Sequence, residues 1–150
     1  MKEEEIYELI NKLNQKEGII SSNDSISWHA HRTVEKISDD SLYPILIKIV
    51  EDNRQVKNKA IRDAAYYIIG TMLRNSFNKE ACRFLIQQLG VETDKYIVSS
   101  MMDRLTWFPI PQDVDINSRK RDIRISAKIA IENITKNHRS RGRFFGLILL

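Results

Sequence analysis

One cysteine in 150 residues, Cys82, rules out an internal disulfide, and without a second metal-ligating type beside it the thiol is poor material for a zinc site. Three prolines and five glycines are too few for the many tight turns of an all-β chain. No apolar run approaches the roughly 20 residues that span a bilayer. The opening Met1-Lys2-Glu3-Glu4-Glu5 is acidic, where a signal peptide would be basic and then apolar. There is no glycine-rich loop of the kind that cradles phosphate. These absences lead us to expect a cytoplasmic, all-α protein with no membrane partner, no cofactor and no metal.

What the chain has in quantity is Ile, Leu, Lys, Glu and Ala, set at helical spacing. Ile6, Leu9, Ile10 and Leu13 form a 3, 4, 7 stripe that returns 36 residues later as Leu42, Ile45, Leu46 and Ile49. A further shift of 39 gives Ala81, Phe84, Leu85 and Gln88. Each of these A helices is followed by a second kind of stripe. Its fullest copy is Ala60-Ile61, Ala64-Ala65, Ile68-Ile69 and Met72-Leu73, a wide face whose central alanines admit a neighbouring helix closely. Ile26, Ala30, Val34 and Ile37 are the first copy, and Ile97, Ser100, Met101 and Leu105 the third. Asp40 is the expected N-cap of the second A helix, where Pro44 lies early enough to cost little.

The B pattern is clearest at Val56 to Gly70, where Ile61-Arg62-Asp63-Ala64-Ala65 leads to Ile68-Ile69-Gly70. It returns 62 residues on, at Asp122 to Ile134, as Ile123-Arg124-Ile125-Ser126-Ala127 with Ala130, Ile131 and Ile134. In these segments the chain resembles the HEAT-repeat family, over about residues 2–135. The resemblance implies a short right-handed α-solenoid within a repeat domain at 1–137. Its units would be hairpins at about 2–37, 41–75 and 78–107 and a half repeat at 119–136, with a basic then apolar tail at 138–150. It also implies a structural Asp–Arg ladder, with Asp52 and Arg62 as one rung and Asp115 or Asp122 with Arg124 as another. Ser27 and Val98 hold the Arg position in the first and third copies and interrupt it. Trp107-Phe108-Pro109-Ile110-Pro111-Gln112-Asp113 replaces the fourth A helix, because its two prolines forbid a regular helix there.

Net charge is +4, yet residues 119–143 hold nine Lys or Arg against Asp122 and Glu132, a local +7 that leaves −3 for the rest. Arg119, Lys120, Arg121, Arg124 and Lys128 are therefore candidate anion-binding residues, with nucleic acid as the corresponding partner. The apolar Phe144 to Leu150 offers packing on a neighbouring helix or pairing between chains as a homo-oligomer.

Chemistry-bearing groups are sparse. His29 and His31, two apart on a helix, point about 200° from one another and do not share a metal as residues four apart do. His29 takes the position of Ala64 in the next copy, so it is expected partly buried between helices, while His138 falls in the basic tail. Ser99-Ser100 read as packing residues, and the Asp39-Asp40 and Asp113–Asp115 pairs as caps at helix approaches. We expect no enzyme.

The favoured expectation is a non-catalytic protein-binding scaffold or adaptor using the concave B-helix surface. Lys59, Asp63, Tyr66, Tyr67 and Arg74 lie off the apolar stripe of the second B helix, and Trp107 and Phe108 form a second candidate contact. The alternative is nucleic-acid binding through 119–143. A HEAT-like DNA glycosylase, for which Trp28, Trp107, Tyr66, Tyr67 and Asp103 would be the groups on hand, and a toxin-immunity protein are further readings.

Overall fold

Alternating steps of three and four residues place Ile6, Leu9, Ile10 and Leu13 on one face, and all four are buried in α1 (Glu3–Leu13) of the computed structural model. The structure describes residues 1–15, 25–54, 58–107 and 116–138. Those residues are helical and joined by short connections, with no strand among them. Phe108, the Asp113–Asp115 pair and the tail from Arg139 to Leu150 lie outside the described residues.

The chain divides into two compact units, Met1–Asn78 and Lys79–Leu150. In the first, α1 is followed by α2 (Ile26–Glu35), a short 3-10 turn at Asp40–Leu42, α3 (Tyr43–Asp52) and α4 (Lys59–Asn75). Three acidic residues in the first turn of α1 suit the positive end of its dipole, and Glu5 Oε1 reaches back to accept from the Lys2 amide at 3.1 Å. Ser25 caps α2 by accepting from the Trp28 amide at 2.9 Å. At α3 the cap position is Leu42, and it is the 3-10 turn ahead of it that is capped, by Asp39 and not Asp40. The Asp39 carboxylate accepts from the amide and the hydroxyl of Ser41, at 3.0 and 2.7 Å, because the 3-10 turn places Ser41 two residues on. Pro44 stands in the first turn of α3, where no amide is missed.

The centre of this unit is α4, which packs against α1, α2 and α3. Ala64, Ala65, Tyr66, Ile68, Ile69, Met72 and Leu73 are all buried on it. Each large apolar side chain removed from water this way contributes about 1.5–3 kcal/mol. Ala60 is exposed, so the wide stripe begins one turn later than the sequence pattern.

Polar ties fix both ends of α4. Near its start, Arg62, 2% exposed, donates to the Asn53 carbonyl at 2.9 Å, and Asn14 donates to the Ala60 carbonyl at 3.2 Å. At its end, Asn75 Nδ2 donates to the carbonyls of Glu35 and Ile37, both at 2.9 Å, and the Tyr43 hydroxyl donates to the Ser76 carbonyl at 2.8 Å. The Ser76 hydroxyl donates to Asp40 at 2.9 Å, which is the task Asp40 performs in place of capping.

The second unit comprises α5 (Lys79–Leu89), α6 (Lys95–Trp107) and α7 (Ile116–His138). Asp94 starts α6 by accepting from the amides of Tyr96 and Ile97, at 3.0 and 3.1 Å. α7 packs on both α5 and α6 through Ala127, Ala130, Ile131 and Ile134. Gly90 sits where an added Cβ would meet Ser126 of α7 at 3.6 Å, ordinary contact that a methyl group would tolerate.

Candidate functional site

Residues four apart on a helix lie on one side, so Lys59, Asp63, Tyr67 and Thr71 form a row along α4, with Arg74 closing it one turn further. Lys59 and Arg74 are exposed, and Asp63, Tyr67 and Thr71 are half-buried. The row lies on the helix that anchors its unit, so its backbone is held by packing on three neighbours. It carries a cation at each end, a carboxylate and an aromatic ring.

Tyr66 does not belong to this row. It is fully buried, a core ring between helices that no partner reaches, because its position falls on the side of α4 that faces the neighbouring helices. Tyr67, about 100° round the helix, is half-buried and meets α2 at the margin of that packed side. Its hydroxyl is hydrogen-bonded to His31 Nδ1 at 2.8 Å, and the two rings stand edge to face with centroids 4.9 Å apart. The two histidines thereby exchange roles relative to the sequence expectation. His31 is half-buried between α2 and α4, while His29 is exposed. The recurring pattern carries no signal for this pairing, since the interval that matches His29 to Ala64 sets His31 against Tyr66.

On the outer side of α2, the Arg32 guanidinium lies over the Trp28 ring, 5.4 Å from its centroid, and His29 meets the same ring edge-on at 5.1 Å. An open groove of about 470 Å³ runs between α1 and α2, lined in part by Met1, Glu5, Leu9, Ile26 and His29. Its mouth leaves Ile26 46% exposed, so the first residue of the expected buried stripe on α2 faces solvent.

Asp52 and Arg62 are close in sequence but serve separate ties. Asp52 pairs with Lys48 at 3.4 Å on the surface, and Lys48 bonds Glu3 of α1 at 2.9 Å. Glu3 first, then Asp52, raises the Lys48 ammonium above its ordinary value. Arg62 gives its NH1 to the Asn53 carbonyl. Asn53 in turn donates to the Tyr7 hydroxyl at 2.9 Å. Arg124 and Asp122 are both exposed on α7 and form no buried rung, and Asp115, the other expected partner, lies outside the described residues. α4 is covered by three helices and α7 by two, which leaves the equivalent turn of α7 in water.

Lys120, Arg121, Arg124 and Lys128 are all exposed on α7, and Arg119 lies in its first turn with a side chain outside the described set. Trp107 is the last residue of α6, its side chain likewise undescribed. Cys82 is buried. Among the described residues no three His, Cys, Asp or Glu side chains gather as a metal site would require, and no helix is long and apolar enough to cross a membrane. No protein-family model matches the sequence, and no curated protein or solved structure matches the chain.

Proposed function

We propose that this chain is a non-catalytic protein-binding scaffold or adaptor of the cytoplasm, a HEAT-like α-solenoid whose contact surface is the outer row of α4. One observation carries the reading: Tyr67 stands in a row of accessible polar residues, and its ring is already fixed by His31. An amphipathic ring held before binding gives contact area at little cost in rotamer freedom, which is why tyrosine is frequent among interface hot spots. Lys59 and Arg74 flank it with charge that would orient a partner. The second unit adds helices of the same kind, and repeated helical layers are a common way to present such a row.

The test is affinity capture from a lysate of the source cells, with nuclease-treated and untreated halves. The baits are the wild-type protein and a Lys59→Glu, Tyr67→Ala, Arg74→Glu variant. A nuclease-resistant protein held in stoichiometric amount by the first bait and lost from the second is the expected result. Material that disappears with nuclease would instead support nucleic-acid binding. An identical set of proteins on both baits would remove α4 as the contact.

A further inference from the structure

α7 has a second face unlike the one it turns to α5 and α6. At about 100° per residue, Ile125 and Ile129 fall roughly opposite the mean direction of Ala127, Ala130, Ile131 and Ile134. They are 53% and 45% exposed, one turn apart, at the centre of the outward face. Arg121, Lys128 and Arg124 follow one flank of this ridge, all exposed; Asp122 lies on the other flank and Glu132 beyond the far end of the ridge. The exposed charges of this face balance at +1, three cations against two carboxylates, while Lys120 falls on the side of Ala127 and Ile131.

We propose that the outer face of α7 docks an acidic amphipathic protein segment, whose aliphatic side chains cover Ile125 and Ile129 and whose carboxylates meet Arg121, Arg124 and Lys128. The proposal stands on α7 alone and does not depend on the α4 row.

Charge and apolar placement together select this occupant. A phosphate backbone is bound by cations and needs no aliphatic ridge between them, and a base stacks on aromatic rings or guanidinium planes, which two isoleucines do not replace. Asp122 and Glu132 would also repel phosphates. A helix that lies in a lipid interface submerges a broad apolar face, and the broad apolar face of α7 is already spent on α5 and α6. A second copy of the chain would bring a face of net positive charge against itself. An acidic segment with aliphatic residues at helical spacing satisfies the ridge and the basic flank at once, and the two carboxylates on α7 disfavour wrong registers.

The experiment pans a phage-displayed random peptide library on the full-length protein. Enriched sequences are expected to carry net negative charge and a pair of aliphatic residues three or four apart. The leading peptide, synthesised with a fluorophore, is then titrated by anisotropy against wild type, Ile125→Ser/Ile129→Ser and Arg121→Glu/Arg124→Glu/Lys128→Glu. Both variants should lose about tenfold or more in affinity while keeping the wild-type melting transition. Either of two results overturns the proposal. One is a library that yields no acidic aliphatic peptide, or yields one whose affinity is unchanged by Ile125→Ser/Ile129→Ser. The other is binding of a fluorescent oligonucleotide, or of phosphatidylserine vesicles, that falls with charge reversal and is indifferent to the isoleucines.

Discussion

His31 and Tyr67 are joined across two helices by a hydrogen bond of 2.8 Å, and they lie 36 positions apart, one more than the interval from Ile26 to Ile61. The bond therefore links α2 and α4 one residue away from the correspondence of the recurring B pattern, which sets His31 against Tyr66. A contact of this type couples neighbouring layers of helix without drawing on the apolar core, and it fixes the Tyr67 ring that the α4 row presents.

Replacing Tyr67 with Phe keeps the ring and removes the hydroxyl. The bond is part-buried, and its loss should cost about 0.5–1.5 kcal/mol. In a chain of this length the melting temperature should fall by roughly 2–4 °C per kcal/mol. A variant that melts with wild type would show that the ring contact alone holds the layers.

Adjacent tyrosines should respond very differently to truncation. Tyr66→Ala empties a fully buried site and should cost about 3–5 kcal/mol, as large aromatic deletions from cores do. Tyr67→Ala, at a half-buried site, should cost less than half of that. Chemical denaturation of the two variants side by side measures the difference, and equal losses would contradict the assignment of Tyr66 to the core.

Arg62 and Arg124 occupy matching positions of the recurring pattern yet sit in opposite environments. Arg62→Ala leaves the Asn53 carbonyl without its buried donor and should cost about 2–3 kcal/mol. Arg124→Ala, on the exposed face, should lie within about 0.5 kcal/mol of wild type. Comparable destabilisation by both would restore the idea of a repeated buried arginine.

Asp39 gives the acid limb of stability a definite sign. The Ser41 hydroxyl and then the Ser41 amide hold its carboxyl below the ordinary value of 3.8. Unfolding frees it, so the unfolded chain takes up the proton first as pH falls. The stabilisation is thus complete above the unfolded value and is lost as pH drops through the lower folded one. Asp39→Asn keeps an acceptor but cannot titrate. Its melting temperature should decline less steeply than that of wild type from about pH 5 downward. Parallel curves would count against a role for this carboxylate.

Buried in α5, Cys82 should react slowly with a thiol reagent in the native protein and rapidly in denaturant. The labelling rate then reports opening of the second unit. Fast labelling under native conditions would contradict the packing of α5.

The helical class was legible because stripes such as Ile6-Leu9-Ile10-Leu13 encode which face is buried, whatever covers that face. Side-chain direction was harder. Tyr66 and Tyr67 are chemically identical neighbours about 100° apart on the helix, and only the positions of α1, α2 and α3 decide which one is enclosed. The same holds for His29 and His31, where the residue matched to a buried alanine turned outward. Arg124 was misread because a motif records residue types and omits the number of neighbours. Asp40 was displaced as a cap by Asp39 through a 3-10 turn that shifts the helix start, a boundary effect that a pattern of apolar residues does not carry.

Because α4 is the last helix of its unit and the one that α1, α2 and α3 all share, its position bears on how the chain is made. While a nascent chain ends before residue 75, the apolar stripes of the first three helices have no common partner. Completion of the first unit is therefore timed by the emergence of α4, and α7 closes α5 and α6 in the same way. Each unit is closed by the last of its described helices, so a chain stalled or cleaved before that helix presents open helix faces of the kind chaperones and proteases bind.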